Sequence, residues 1–521
     1  MKRPLAAAAL SAVLAPTSVF AQVPVESTGT EPPPAAVQSI TGREIAGHLR
    51  FLASDLLRGR EAGTADARMA AEYLASHLTA IGAEPLGDPV RGRRTYLQGY
   101  TLEAVTPPSE GPELTLTLRT GDAVRVITGK LGVDFIYGPN GVVAGEVEAP
   151  AVFVGYARDE ADKGIDDFAG VDVRNKFALA YRGVAPGAAN NPGAAYAASQ
   201  ARVRTARAKG ALGVLLIDAP GDETARPALP AKPNEMGFDR TRIVLGPTPA
   251  QIPAIALSGG IRDVLVPSLG LSVPEASPPK QEGGSLQARF VHAVRREPRE
   301  DRNVVGFLPG SDPEKKKEVV VFSAHYDHEG VDEKGEIYNG SDDNASGTSG
   351  VLEIAEAFGV APRPARSVAF LWVSGEEKGL VGSKWFADHP ALPEGAKIVA
   401  DINLDMISRN DTAKIGATPS PSHPDYNTLV ADAALATKAE GLEMLFDTDP
   451  YYGRTDSYNF AAKGIPVIFF FAGLHEDYHK PTDDVEKADF EKAARVARAA
   501  FRLGWKVAQD AEAPKKIQAQ P

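Results

Sequence analysis

The chain of 521 residues contains no cysteine. That absence excludes disulfide bonds, thiol catalysis, thiolate metal ligands and lipid attachment at a processed N-terminal cysteine. Stability beyond the core is left to packing or to a metal held by nitrogen and oxygen. No basic block dominates either. The formal net charge is −12, and Lys315-Lys316-Lys317 sits between Glu314 and Glu318 as a solvated turn, so nucleic acid is not an expected partner. Beyond the N-terminus no apolar run is long enough to cross a membrane; the most intense, 465–472, has the length of a strand. Histidine is absent from 131–285. The remaining composition is that of a globular protein, and the length implies two or three domains.

What is present begins with an export signal. Met1-Lys2-Arg3 is a positive start, 5–14 is a short apolar core, and Val19-Phe20-Ala21 fits a small-residue cleavage site. The expectation is a signal peptide over 1–21, cleaved before Gln22, and a periplasmic or secreted product without a stable membrane anchor. Residues 22–37, rich in Pro, Thr, Glu and Ala, read as a disordered linker. From residue 40 the pattern is helical, with Ile45, Leu49, Leu52 and Leu56 on one face. Gly59-Arg60-Glu61-Ala62-Gly63 breaks it, and a second helix over 65–81 is closed by Gly82. Strands are predicted over 96–102, 114–118 and 124–127. Across 131–285 glycine and proline are frequent and the strands short, which marks an inserted domain. Over 303–507 strand and helix patterns alternate, as in a mostly parallel sheet with helices on both faces. The tail 511–521 reads as disordered.

The chemistry collects where the predicted strands end. The run 319–323 stops at His325-Tyr326-Asp327, and Asp342-Asp343-Asn344 opens the next helix. A lone acid there is ordinarily an N-cap. But 368–373 ends in Glu376-Glu377, 399–404 ends in Asp405, and 467–471 runs into a loop holding His475 and His479. Adjacent acids at the ends of buried strands are costly unless something pairs with them. The carboxyl ends of such strands are also where a ligand crevice forms. His325, Asp343, Glu376-Glu377, Asp405 and His479 thus meet at one sheet edge. Two imidazoles and several carboxylates suit zinc. The negative charge suits a pair of metals sharing a carboxylate, about 3.5–4 Å apart.

His325-x-Asp327, Asp343-Asn-Ala-Ser-Gly, Glu376-Glu377, Asp405-Met and Tyr478-His479-x-Pro-x-Asp483 together resemble the motif set of the clan MH zinc metallopeptidases, of the bacterial leucyl aminopeptidase and glutamate carboxypeptidase type. The resemblance covers 303–507 and the early helices. Residues 131–285 are similar to the protease-associated (PA) domain inserted in that family, at Gly155-Tyr156, 167–173 and 210–214. The resemblance implies an α/β fold, a mostly parallel mixed sheet flanked by helices, the phosphorylase/hydrolase-like zinc exopeptidase fold, with an inserted β-rich PA domain. It divides the peptidase domain into 38–130 and 286–510. It implies two zinc ions bridged by Asp343 and a water or hydroxide. His325 and Asp405 would complete one site, Glu377 and His479 the other. Glu376 would be the general base, Asp327 the acid orienting His325, Tyr478 the oxyanion donor, and Arg454 a substrate-side arginine. Peptides or small proteins are the implied substrates and aminopeptidase the implied activity.

Some positions depart from the pattern or receive no role. Asp342 replaces Asp343 if the register slips by one. His328 and His475 lie near the ligands without an assigned part. Thr455-Asp456-Ser457 stands where many relatives carry Ser-Asp-His. His48, His77, His292, His389 and His423 read as surface or structural. Tyr451, Tyr452, Phe469 and Phe471 read as core or pocket wall, the latter favouring apolar substrates. The alternatives are a carboxypeptidase releasing acidic residues, with Arg454 gripping a carboxylate, a single-zinc glutaminyl cyclase, and a non-catalytic PA-domain binding protein.

Overall fold

The computed structural model describes residues 31–106, 111–138, 145–160, 163–183, 185, 192–219, 242–246, 252–271, 281–292 and 295–518. The expected signal peptide and most of the linker lie outside them. The end of the linker is helical rather than disordered: α1 (Pro34–Ser39) starts on a proline, whose fixed φ suits a first turn, and buries Ala36 and Val37 in the main core. In α2 (Gly42–Leu52) Thr41 caps the first turn, its hydroxyl accepting from Glu44 N–H. In α3 (Ala65–Ile81) Thr64 does the same, and Gly82 ends the helix at φ +76°, the left-handed geometry glycine permits.

The principal sheet contains β1 (Leu97–Thr106), β2 (Arg295–Leu308), β3 (Glu318–His325), β4 (Ser367–Val373), β5 (Lys397–Asp405), β6 (Lys414–Thr418), β7 (Glu443–Leu445) and β8 (Val467–Phe471). The order is β1-β2-β4-β3-β5-β8-β6-β7. The central strands β4, β3, β5 and β8 run parallel, while β1, β2 and β6 pair antiparallel on the flanks. The fold is therefore mixed α/β with a parallel centre. Along β3, Val320 and Phe322 belong to the core on one face, and Val319 and Val321 to the core on the other. A strand covered on both sides has to be apolar throughout, which is why it reads as a continuous run. The first face carries α1–α3, α4 (Gly347–Val360), α6 (Thr428–Ala439) and α7 (Phe490–Gln509). The second carries α5 (Val381–Asp388) and the short helix Ser457–Ala461.

A second sheet of eight strands has its own hydrophobic core. Its strands lie between residues 113 and 292, so the sheet boundaries fall at 113 and 292 rather than at 131 and 285. Leu114, Leu116 and Leu118 of Glu113–Thr120 alternate inward onto that second core. Period-two alternation says that a strand is half buried but not against which sheet it packs. One strand goes the other way: Arg242–Leu245 pairs antiparallel with β1, at the edge of the principal sheet. The tail also differs from expectation. Ile517 packs on the main core, its N–H bonds to Tyr426 O, and Lys516 bridges to Asn427.

Candidate metal centre

Each parallel strand at the sheet centre delivers part of one cluster. His325 is the last residue of β3 and Asp405 the last of β5. Glu376 and Glu377 follow β4, and His479 lies in the loop after β8. The segment 341–346, which leads into α4, supplies Asp343; its Asp343–Asn344 peptide is cis. This segment is held from outside. The buried Asp483 carboxylate accepts the backbone N–H groups of Asp342 and Asp343 at 3.0 and 3.1 Å. Asn344 Nδ2 donates to Leu404 O at 3.0 Å.

The Asp342 carboxylate is engaged elsewhere. It accepts from Ser408 N–H and the Ser408 hydroxyl, both at 2.7 Å, and lies 3.3 Å from His475 Nε2. Asp343 instead stands between two pairs of groups. Its Oδ1 is 3.4 Å from His325 Nε2, which is also 3.4 Å from Asp405 Oδ1. Its Oδ2 is 3.1 Å from His479 Nε2, which is 3.1 Å from Glu377 Oε2. Ligand atoms around one tetrahedral zinc stand about 3.4 Å from one another. His325 Nε2, His479 Nε2 and Asp405 Oδ1 are buried with no hydrogen-bond partner among the described residues, and so many buried atoms are rarely left unpaired. This donor set fits a pair of zinc ions.

The electrostatics agree. Burial opposes protonation of His479, yet the Asp343 and Glu377 carboxylates beside its ring push it up to about 10. Burial opposes ionisation of Asp343 too, but the His325 and His479 rings beside it hold it well below the usual carboxylate range. A cage negative enough to pull protons onto buried imidazoles also attracts divalent cations. Glu376 is pushed well up by burial and by Glu377, Asp456 and Asp405, against the pull of His325. Asp327 links this acid to His325. Its backbone oxygen lies 3.2 Å from His325 Nδ1, its Oδ1 3.7 Å, and the same Oδ1 accepts Glu376 N–H at 3.2 Å.

An apolar patch adjoins Tyr478. The Tyr478 ring stacks on His479 with centroids 3.9 Å apart. Burial and the charges of Asp343 and Glu377 raise the Tyr478 phenol, so it keeps its proton. Met406, Phe469 and Phe471 form a buried patch on which Tyr451 and Tyr478 pack. The exposed Arg454 guanidinium lies 5.5 Å from the Tyr451 ring centroid. Tyr452 belongs to the core, donating to Asp425 at 2.8 Å. His292 is buried beside the Tyr137 hydroxyl, while His389 stacks on Trp385 and His423 packs on Tyr452.

Sequence reasoning passed over two residues in this neighbourhood. His328 is fully buried with Nδ1 2.7 Å from Glu377 Oε1; its signal was position, three residues past His325 at the same strand end. Arg60 is buried and donates to the carbonyl oxygens of Leu52, Tyr326, Asn339 and Gly340. Its partners are backbone groups, three of the four distant in sequence, so no side-chain pattern announces it.

Residues 303–503 match the family model described as Peptidase family M28. Among curated proteins the chain is similar to a probable leucine aminopeptidase of Trichophyton verrucosum, 26% identical over 236 residues, covering 43% of this chain and 62% of that protein. It is similar to leupeptin-inactivating enzyme 1 of Streptomyces exfoliatus, 30% identical over 191 residues, 36% of this chain and 38% of that protein. Aminopeptidase YwaD of Bacillus subtilis is 26% identical over 212 residues, 40% of this chain and 45% of that protein. The chain thus spans 62% or less of the length of these relatives. Among solved structures, an aminopeptidase from Aneurinibacillus sp. strain AM-1 shares the fold, with a TM-score of 0.55 at 22% identity over 93% of this chain and 97% of that one.

Proposed function

On the match of residues 303–503 to peptidase family M28, we propose that the chain is an exported dinuclear zinc exopeptidase removing N-terminal residues from peptides. The observation that carries the reading is Asp343, whose two carboxylate oxygens face His325 and Asp405 on one side and His479 and Glu377 on the other. His325, Asp343 and Asp405 would hold one zinc, and Asp343, Glu377 and His479 the second. When bound, zinc supplies a water acidified towards neutral pH and a Lewis acid for the peptide carbonyl.

The residues of the chain do the rest. The Glu376 carboxylate accepts a proton from the attacking water and returns it to the leaving amine. The Tyr478 hydroxyl donates to the carbonyl oxygen as charge builds there. Asp327 orients the His325 ring and, through its bond to Glu376 N–H, the base as well. The apolar patch of Met406, Phe469 and Phe471 favours an apolar side chain at the cleaved end. Similarity to leucine aminopeptidases over part of the chain supports this choice. The exposed Arg454 supports a second reading, a carboxypeptidase gripping a substrate carboxylate; N-blocked and C-blocked peptides separate the two. The second sheet is read as a PA-like lid over the cleft. Among the described residues no helix is long and apolar enough to cross a membrane.

The test is zinc content per chain, with hydrolysis of leucine p-nitroanilide before and after chelation. Chelator-sensitive hydrolysis is expected, together with two zinc ions that depend on the strand-end cluster and are lost in His325→Ala/His479→Ala. Loss of a single zinc ion in that variant, with no hydrolysis by the wild type, would overturn the reading in favour of a cyclase. Glu376→Gln is expected to fold, keep its zinc and lose about 10²–10⁴-fold in kcat; a wild-type rate would refute the base.

A further inference from the structure

A second group of metal-type side chains lies away from the cluster at the strand ends. His48 projects from α2, His77 from α3, and Glu353 and Glu356 from α4. One ligand atom each from His48, His77 and Glu356 lie within 4.8 Å of one another. The rings of His48 and His77 meet edge to face with centroids 4.9 Å apart. His77 Nδ1 is 3.7 Å from Glu356 Oε1, and His48 Nε2 is 3.2 Å from Glu353 Oε1.

Glu353 makes the group more than a surface accident. It is 1% exposed, and its Oε1 turns towards His48 with no hydrogen-bond partner among the described residues. Its other oxygen accepts Thr41 N–H at 3.3 Å. A buried carboxylate oxygen facing an imidazole nitrogen needs either a proton on that nitrogen or a cation shared between the two. His48 is oriented as a ligating imidazole is: Nδ1 lies 2.8 Å from the Tyr73 hydroxyl. With Nδ1–H donating there, the Nε2 lone pair is free to bind a metal. The spacing serves the same end, since Tyr73 and His77 are one turn apart on α3 and Glu353 and Glu356 one turn apart on α4.

We propose that His48, His77 and Glu356, with Glu353 beside them, form a separate site for a zinc-type divalent cation that fastens α2 and α3 to α4. Two imidazole nitrogens with carboxylate oxygens and no thiolate suit zinc rather than calcium or magnesium, which take oxygen ligands. The role is structural. The helix it fastens is the one that begins beside Asp343, so the clamp supports the candidate active centre without taking part in its chemistry.

The test uses zinc itself on the full chain, equilibrated in zinc-buffered solution, desalted and assayed for zinc per chain by mass spectrometry. His77→Ala and Glu356→Gln change partly exposed groups and are expected to fold, as their melting curves would show. Each is expected to carry one zinc equivalent fewer than wild type and to hydrolyse leucine p-nitroanilide at the wild-type rate. A His325→Ala/His479→Ala chain supplies a second, independent comparison. It is expected to retain one equivalent, which adding His77→Ala removes. Equal zinc in wild type, His77→Ala and Glu356→Gln would overturn the proposal and leave a proton-sharing cluster. So would a His325→Ala/His479→Ala chain that holds no zinc.

Discussion

Asp401 is an acid at the middle of a buried strand, and its behaviour with pH follows from that position. It is fully buried in β5, with the Ser323 hydroxyl donating to it at 2.8 Å and Asn403 Nδ2 donating in turn to Ser323. Burial pushes its carboxyl up to about 8, against the Ser323 hydrogen bond and with the help of Asp456. The unfolded chain loses this proton near pH ~4. Between about 4 and 8 the folded chain therefore holds a proton that the unfolded chain has released. The contribution of Asp401 favours folding at low pH, declines through that window and is at its lowest above it. Asp401→Asn is expected to melt near wild type at about pH 5 and above wild type at about pH 9; parallel melting curves across that range would contradict it. Arg60 acts through its donors as well as through its charge, which faces Asp327, Asp343, Asp483 and Glu377. Arg60→Met takes the guanidinium donors from the buried carbonyl groups of Leu52, Tyr326 and Asn339, at about 1–3 kcal/mol each where water cannot replace them, while Gly340 O keeps the Ala345 N–H. A large fall in the urea midpoint is the expected result.

Close approaches between elements decide the sign of other changes. Gly504 lies on α7 directly over β3, where an added Cβ would run into the Phe322 ring. Helix propensity alone makes Gly→Ala favourable by about 1 kcal/mol. Overpacking costs about 1–3 kcal/mol, so Gly504→Ala is expected to lower Tm by a few degrees; a rise would mean that the helix can shift. The 341–346 segment depends on Asp483 in a similar way. Removing that acceptor in Asp483→Ala frees the N–H groups of Asp342 and Asp343. Zinc retention is expected to fall about 10–100-fold, as for other groups that orient ligands, measured by competition with a chelator. At this scale the sequence was informative where the element is regular. The runs that became β3, β4, β5 and β8 could be read because both of their faces are covered. The outer half of β2, Arg295 to Asp301, could not, because its charged side chains are largely exposed and carry no apolar alternation.

Among the described residues the second sheet has a core separate from those on the two faces of the principal sheet, and its connection makes it removable. Thr106 of β1 and Arg295 of β2 are paired neighbours, so the two ends of the intervening segment, which touches the principal sheet again at Arg242–Leu245, lie side by side. Replacing the intervening residues with a short turn would close β1 and β2 as a hairpin. It would also remove Arg242–Leu245 from the edge of the sheet. The shortened chain is expected to keep its zinc and accept longer or more structured peptides, if the second sheet narrows the cleft. An unchanged length preference, measured on a peptide ladder, would refute the lid.

The sequence by itself determined the parallel centre of the sheet and the residues its strands deliver. Periodicity, strand ends and residue chemistry are local properties, and they were enough to bring His325, Asp343, the Glu376-Glu377 pair, Asp405 and His479 forward together. The choice of Glu377 as ligand, and of Asp343 over Asp342, came from the family resemblance and not from any contact. Only the tertiary structure separates Asp342 from Asp343 by contacts, because Ser408 and His475 engage the one and Asp483 turns the other. Tertiary contacts also decided which sheet owns Glu113–Thr120, where Arg60 finds its acceptors, and that His48 and His77 meet Glu353 and Glu356. In each case the partners are far apart along the chain, and a contact between distant residues exists only once the fold has closed.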